Sequence, residues 1–332
     1  SGLLPVAINA VVLEKGCMRG KNTATVIDVG SNTIKVLCAQ YCDKNVKQIA
    51  ANSIEARLGG EIREGQPWLT KEKRKGAVEA IKDLLSFSKK YNPEKVLVVA
   101  TSAVRDAVNK NAFQQEVETS TGQKIRILSE KEEAVLIGRG ISCDPDLPNH
   151  KSFCAIDLGG GSMEYINYSK GCLEQNVSLP LGAVRLTRSF TADGCDPITD
   201  QEEQSIDKHV QENLETASLI KGKNLFLIGC GGAFSVTRSV LGNRNGLRYN
   251  QTTPILEISQ LKQFYEEIRQ LPLVERCLIS HLPNERADIL PVALFVLMKV
   301  AEYFNCRHFH HSHYNLRFGL AATLLGQFPD KT

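Results

Sequence analysis

Two stretches decide the fold: VIDVGSNTIKV at 26–36 and AIDLGGGSMEY at 155–165. Laid over one another, they align Asp28 with Asp157 and Gly30 with Gly159. In each, a run of strand-forming residues ends at the Asp, a glycine turn follows, and a second strand-like run leaves the turn. Glycine removes the Cβ that would keep an anion away from backbone amides, and the Asp beside it can hold a hydrated divalent cation. One such turn alone is ordinary hairpin chemistry. A matched pair, the second carrying Gly159, Gly160, Gly161 and Ser162 in a row, reads as a duplicated phosphate-holding element.

Outward from the first turn, TATVID (23–28), TIKVLCAQY (33–41), a polar turn at Asp43–Asn45 and a strand from Val46 predict an antiparallel meander. Ala77, Ala80, Ile81, Leu84, Leu85 and Phe87 give helical spacing to 70–91. KVLVVA (95–100), a helix over 112–119, KIRIL (124–128) and a helix over 130–141 complete a first half. CDPDLPNHKS at 143–152 is polar and proline-bearing, a boundary signal. Beyond it the meander recurs: MEYINYS, a turn at Lys170–Gly171, and a strand over 173–179. Helices over 183–190 and 202–220, strand NLFLIG (224–229) and the turn CGGA (230–233) follow. The remainder is mainly helical, with a buried helix at Ile289–Val300, a strand-like run at 307–311 and a last helix over 315–326. Helices alternating with apolar strands predict an α/β fold. The domains read as an extension at 1–22, with Met18 a native start, a first domain at 23–146, and a second at 147–332 whose last helix can pack back on the first.

The chain has 332 residues, 42% of them hydrophobic, enough for two cores. Lys plus Arg number 40 against 37 Asp plus Glu, and a net +3 gives no field that argues for nucleic acid or an anionic membrane. The ten cysteines lack paired CxxC spacing and read as reduced thiols of a cytoplasmic protein. Ile289–Val300 is broken by Pro291 and Lys299 and is too short to cross a bilayer. The N-terminal stretch lacks the basic start of a signal peptide.

With these motifs in order, the sequence resembles the exopolyphosphatase and guanosine pentaphosphate phosphatase (Ppx/GppA) family, a branch of the actin and sugar-kinase superfamily. IDVGSNTIKVL (27–37), ATSAVRDAVN (100–109), SEKEEAVLIGRG (129–140), IDLGGGSMEY (156–165), LPLGAVRL (179–186), IGCGGAF (228–234) and NLRFG (315–319) carry the resemblance. It implies two ribonuclease-H-like domains with a cleft between them, in a short form without the additional C-terminal helical region. It also implies hydrolysis of the terminal phosphoanhydride of inorganic polyphosphate or guanosine pentaphosphate with Mg2+ or Mn2+, and family members are often homodimers.

Such hydrolysis needs an in-line water, a group to position it, and positive groups on the equatorial oxygens. Glu132 and Glu133, adjacent on a helix, project about 100° apart, so only one can face a site squarely. The resemblance makes Glu133 the catalytic carboxylate, where the plain alternative is a solvated helix start. It makes Asp157, and Asp28 less directly, the metal ligands, and adds Glu164, which period-2 alternation would equally allow to face outward. Gly30, Ser31 and Asn32, with Gly159, Gly160, Gly161 and Ser162, would bind phosphate. Arg105, soon after a buried strand, would clamp it or else pair with Asp106 or a Glu. The third glycine turn, Gly229–Gly232, carries Cys230 and Ala233 in place of the family's threonines, and close packing explains its glycines equally well. The HFHHSH run (308–313) sends alternate histidines to opposite faces and reads as a strand end rather than a metal tract. Phe318 stands where the family motif has Glu. KEKRK (71–75) opens an amphipathic helix and reads as solvated surface. A kinase of the same superfamily and a non-catalytic phosphate or alarmone sensor are the competing classes.

Overall fold

The computed structural model describes residues 22–43, 45–59, 62–63, 66–147, 152–169, 172–192, 194–221 and 226–328. The N-terminal extension, the assignment of Met18 as start and the turn at Lys170–Gly171 lie outside them. The chain divides into two compact units, Ser1–Asp146 with Tyr314–Thr332, and Leu147–His313.

The first unit opens with β1 (Thr23–Val29), β2 (Thr33–Cys42) and β3 (Asn45–Glu55), then a small hairpin of β4 (Ile62–Arg63) and β5 (Gln66–Pro67). After it come α1 (Lys71–Lys89), β6 (Lys95–Ala100), α2 (Ser102–Arg105), α3 (Lys110–Thr121), β7 (Ile125–Ile127) and α4 (Glu130–Ile141). The sheet order is β3-β2-β1-β6-β7. Its first three strands are an antiparallel meander, and β6 and β7 run parallel to β1. Thr70 caps α1 by accepting from the Lys73 N–H, and the helix buries Ala77, Ile81 and Leu84 against a core that includes Ile27, Val36, Val98 and Phe113.

The second unit repeats this plan with β8 (Ser152–Leu158), β9 (Met163–Ser169), β10 (Cys172–Leu179), α5 (Ala183–Phe190), α6 (Asp200–Thr216), β11 (Leu227–Cys230) and α7 (Gly232–Arg244). β12 (Ile255–Glu257), α8 (Ile258–Arg269), α9 (Leu273–Arg276), α10 (Asn284–Ala287), α11 (Leu290–Phe304) and β13 (His308–His311) complete it. Its sheet order, β10-β9-β8-β11-β13-β12, matches the first strand for strand and adds β12 antiparallel at the edge. The duplication seen in the two glycine turns therefore extends to whole-sheet topology. The predicted buried helix is α11, apolar nearly all round. Among the described residues no helix is long and apolar enough to cross a membrane.

The second unit ends at His313, not at 332, because α12 (Leu316–Leu324) belongs with the first. A Cβ on Gly319 would lie 1.8 Å from the Leu136 carbonyl oxygen, and one on Gly140 would lie 2.1 Å from that of Asn315. The two helices thus cross backbone to backbone through paired glycines, a contact no side chain could share. Phe318, where the family motif has Glu, is buried and lies against the Tyr314 ring. Among the cysteines one expectation is corrected: Cys42 is disulfide-bonded, while the other described cysteines are free. Cys42 ends β2 part-exposed, where a thiol can be reached; Cys38, Cys143, Cys154 and Cys230 are buried apart in the cores.

Candidate active site

Both glycine turns are built by one device. Gly30 N–H donates to the Thr33 carbonyl at 3.2 Å, and Gly159 N–H to the Ser162 carbonyl at 3.0 Å. In the second turn, every carbonyl of the glycine run is taken by the start of α5. Ala183 N–H donates to Gly159, Arg185 N–H to Gly160 (both 3.0 Å), and Arg185 Nε to Gly161 at 2.7 Å. A peptide's C=O and N–H point in opposite directions, so anchoring these carbonyls turns the N–H groups of Gly160, Gly161 and Ser162 the other way. None of these N–H groups has a partner among the described residues. Successive free amides of this kind make an anion-binding concavity.

The first turn follows suit. Gly59 N–H anchors the Ser31 carbonyl at 3.0 Å, and Ala56 and Arg57 N–H both reach the Asn32 carbonyl at 2.9 Å. The Asn32 side chain is buried, with Oδ1 and Nδ2 both lacking a partner among the described residues. Ser31 Oγ meets Ser102 Oγ at 3.1 Å.

The residue opposite each Asp separates the two copies. Asp157 pairs in register with Glu164, and Asp28 with Lys35. Directly opposed residues of an antiparallel pair share a face, so the second turn carries two carboxylates on one side and the first a carboxylate beside a cation. Glu164 is buried rather than outward, accepting from Ser162 Oγ at 2.5 Å and Ser178 Oγ at 3.2 Å. The third glycine turn sits beside them. Cys230 pairs with Asp157 in register, and a Cβ on Gly231, whose φ is +106°, would come within 3.1 Å of Asp157 Oδ1. Asp157 with Glu164 suits a magnesium ion, which keeps waters and takes one or two carboxylates. Asp28 suits one less. Burial pushes its carboxyl up from the ordinary range against the pull of Lys35 and Arg317, and its Oδ1 has no hydrogen-bond partner among the described residues.

The helix carrying Glu132 and Glu133 divides their work. Ser129 and Glu132 form a reciprocal capping box at the start of α4. The Ser129 hydroxyl and amide, then Arg126, hold the Glu132 carboxyl down at about 2. Glu133, one position on, is 7% exposed and accepts from Arg105 Nη1 at 2.8 Å. The plain reading as a solvated helix start therefore describes Glu132 and fails for Glu133. Arg105 also donates to the Leu128 carbonyl at 3.1 Å, with Asp106 at 3.7 Å and Glu130 at 4.0 Å. Burial works against its charge, but the Glu133 hydrogen bond and these carboxylates outweigh it and raise the guanidinium above its ordinary value. Arg105 thus faces the expected catalytic carboxylate directly.

Several residues were missed from sequence. Arg185, Ser178 and Lys35 lie in or beside the quoted motifs and could have been found by asking what holds each turn. Arg286 could not, being far along the chain. Its guanidinium lies 3.0 Å from where a Gly232 Cβ would be and lines a pocket with Leu158, Gly159 and Ala233. Close packing explains that turn, since the Phe234 ring leaves only 2.3 Å beside Gly229. In the histidine run, His308 is exposed, while His310 meets Phe226 and His311 stacks on Phe234. His311 Nδ1 lies 3.2 Å from Arg238 Nη1 and its Nε2 3.4 Å from Ser235 Oγ, so the run fastens β13 to α7. Among the described residues no three His, Cys, Asp or Glu converge as a metal cluster.

The chain is similar to known proteins over most of its length. The chain is 26% identical over 291 residues to a bifunctional 3-dehydroquinate synthase/phosphatase of Fusobacterium nucleatum, covering 84% of this chain and 43% of that protein. It is 24% identical over 289 residues to a guanosine-5'-triphosphate,3'-diphosphate pyrophosphatase of Photobacterium profundum, covering 84% and 54%. The chain thus spans about half the length of the curated relatives it matches. An exopolyphosphatase structure from Cytophaga hutchinsonii superposes with a TM-score of 0.82 at 22% identity, covering 92% of this chain and 99% of that one. A Ppx/GppA family member from Aquifex aeolicus gives 0.76 at 22%, covering 93% and 99%. Both superpositions cover nearly the whole of each chain, so this chain shares their fold. The Ppx/GppA phosphatase family profile matches residues 39–328, and the chain belongs to that family.

Proposed function

We propose that this chain is a Mg2+-dependent phosphoanhydride hydrolase that releases the terminal phosphate of inorganic polyphosphate. The observation that carries the proposal is in the second unit: free amides of Gly160, Gly161 and Ser162 beside the opposed carboxylates of Asp157 and Glu164. Amides alone would suit any anion. Amides next to two carboxylates suit an anion that arrives with a divalent cation, as phosphate chains do.

On this reading Asp157 and Glu164 would hold the magnesium ion, and Ser162 and Ser178 fix the Glu164 carboxylate. The bound ion would neutralise charge on the phosphoryl oxygens. Glu133 orients the attacking water and takes its proton. The water oxygen bonds to the terminal phosphorus, the bridging P–O bond breaks, and orthophosphate and a chain one unit shorter leave. Arg105 holds the Glu133 carboxylate in place through its hydrogen bond, and its guanidinium is a second donor toward phosphate oxygens. The first turn, with Lys35 and Arg317 around Asp28, supplies a phosphate holder of positive character.

The test is phosphate release from long polyphosphate, guanosine pentaphosphate, ATP and ADP, with and without Mg2+, by wild type and Glu133→Gln. Mg2+-dependent release that is fastest with polyphosphate and falls at least about a hundredfold in the variant is expected. Faster release from guanosine pentaphosphate would move the substrate assignment to the nucleotide. Undiminished release by Glu133→Gln would remove Glu133 from the chemistry, and binding without turnover would make the chain a sensor.

A further inference from the structure

Three carbonyls of the second glycine turn are anchored, but not alike. Those of Gly159 and Gly160 are held by backbone N–H groups of Ala183 and Arg185, which no substitution at those positions other than proline removes. That of Gly161 is held by a side chain, Arg185 Nε, at 2.7 Å. Arg185 is solvent-exposed and has no carboxylate partner among the described residues, so this hydrogen bond is not a by-product of an ion pair. Gly182 packs against the same peptide, leaving 2.3 Å to the Gly161 carbonyl carbon and 2.4 Å to Ser162 N from an added Cβ. Those atoms lie on the peptide's axis, so Gly182 limits where the peptide sits and not which way its oxygen turns.

We propose that Arg185 is a positioning residue that sets the orientation of the Gly161–Ser162 peptide, aiming the Ser162 N–H at a bound phosphate and keeping the Gly161 oxygen away from it. Gly161, on the N-terminal side of the peptide, offers little resistance to rotation. Rotation would replace a donor by a partial negative charge beside an anion, so the tether matters more to phosphate affinity than to the fold. The proposal rests on the reading of this turn as a phosphate holder. It adds that ligand affinity there is set from α5, outside the turn.

The experiment follows the amide resonances of Gly160, Gly161 and Ser162 in isotope-labelled full-length protein, first without ligand and then through a titration with inorganic phosphate. Wild type, Arg185→Met and Arg185→Lys are compared. In Arg185→Met, the ligand-free Ser162 resonance should move while those of Gly160 and Gly161 stay. Half-saturation should need about tenfold more phosphate, the loss of one charge-assisting donor. Arg185→Lys, which keeps a donor on a flexible stem, should recover part of both effects. An unmoved Ser162 resonance and an unchanged midpoint in Arg185→Met would overturn the proposal. So would a midpoint shift accompanied by equal movement at all three amides and a lowered melting temperature, the mark of a merely structural role. Wild-type amides that ignore phosphate would defeat the phosphate-holder reading, and the ligand half of this one with it. The ligand-free Ser162 shift would still report separately on the tether.

Discussion

The crossing of α4 and α12 gives a sharp test of how the first unit is tied together, and α4 is the helix that carries Glu133. In Gly319→Ala the added carbon would lie 1.8 Å from the Leu136 oxygen, 2.7 Å from its carbon and 3.0 Å from Gly140 N. All are backbone atoms, so no rotamer change relieves the clash. Reaching even the closest tolerated contact requires the helices to part by more than about 1 Å, which overpacking data place at about 3 kcal/mol or beyond. Gly76→Ala in α1 is the control, because nothing lies within 4 Å of its added carbon. It should gain about 0.5–1 kcal/mol from helix propensity. Trp68 is the chain's single tryptophan and lies in the first unit, so its fluorescence reports on that unit in urea. With a slope of about 2 kcal/mol/M, Gly319→Ala should lower the midpoint by roughly 1.5 M and Gly76→Ala should raise it by about 0.3–0.5 M. One outward shift accommodates both clashes at the crossing, so Gly140→Ala/Gly319→Ala should cost less than the sum of its single variants. A Gly319→Ala midpoint within about 0.3 M of wild type, or strict additivity in the double variant, would refute the backbone-to-backbone crossing.

Asp28→Asn should stabilise the first unit at pH 7. Burial raises the folded-state pKa of Asp28, so its ionisation costs stability as pH rises through the ordinary carboxylate range. Trp68 urea midpoints should therefore favour the variant at pH 7 and converge with wild type below about pH 4, while phosphate release falls; equal midpoints at pH 7 would contradict the burial argument. His311 works in the opposite sense. Burial, then His313, Arg238 and His310, hold it neutral well below its ordinary value, so the second unit should lose stability as pH falls below about 6.5, where the unfolded chain takes up the proton. Hydrogen exchange of the β13 amides between pH 7.5 and 5.5 should accelerate beyond its intrinsic pH dependence in wild type and less so in His311→Asn, and parallel profiles would remove His311 from the effect.

The duplicated glycine turns, the alternation of helices and strands and the family were legible in the sequence, because these rest on local rules. Period-2 and period-3.6 apolar patterns and the DxG turns are each written within a few residues. The motif resemblance named Glu133, and the spacing alone could not separate it from Glu132. The tertiary structure did so by placing Arg105, on another element, against one and the capping box against the other. It also decided what stands across from each turn: Lys35 opposite Asp28 and Glu164 opposite Asp157, a matter of strand register. Placing α12 with the first unit rather than the second depended on Gly140 and Gly319, far apart in the chain, and on the absence of two Cβ atoms. The chemistry-bearing residue types were thus legible from local pattern and motif. Their charges, partners and allegiance were set by contacts between segments that no local pattern encodes.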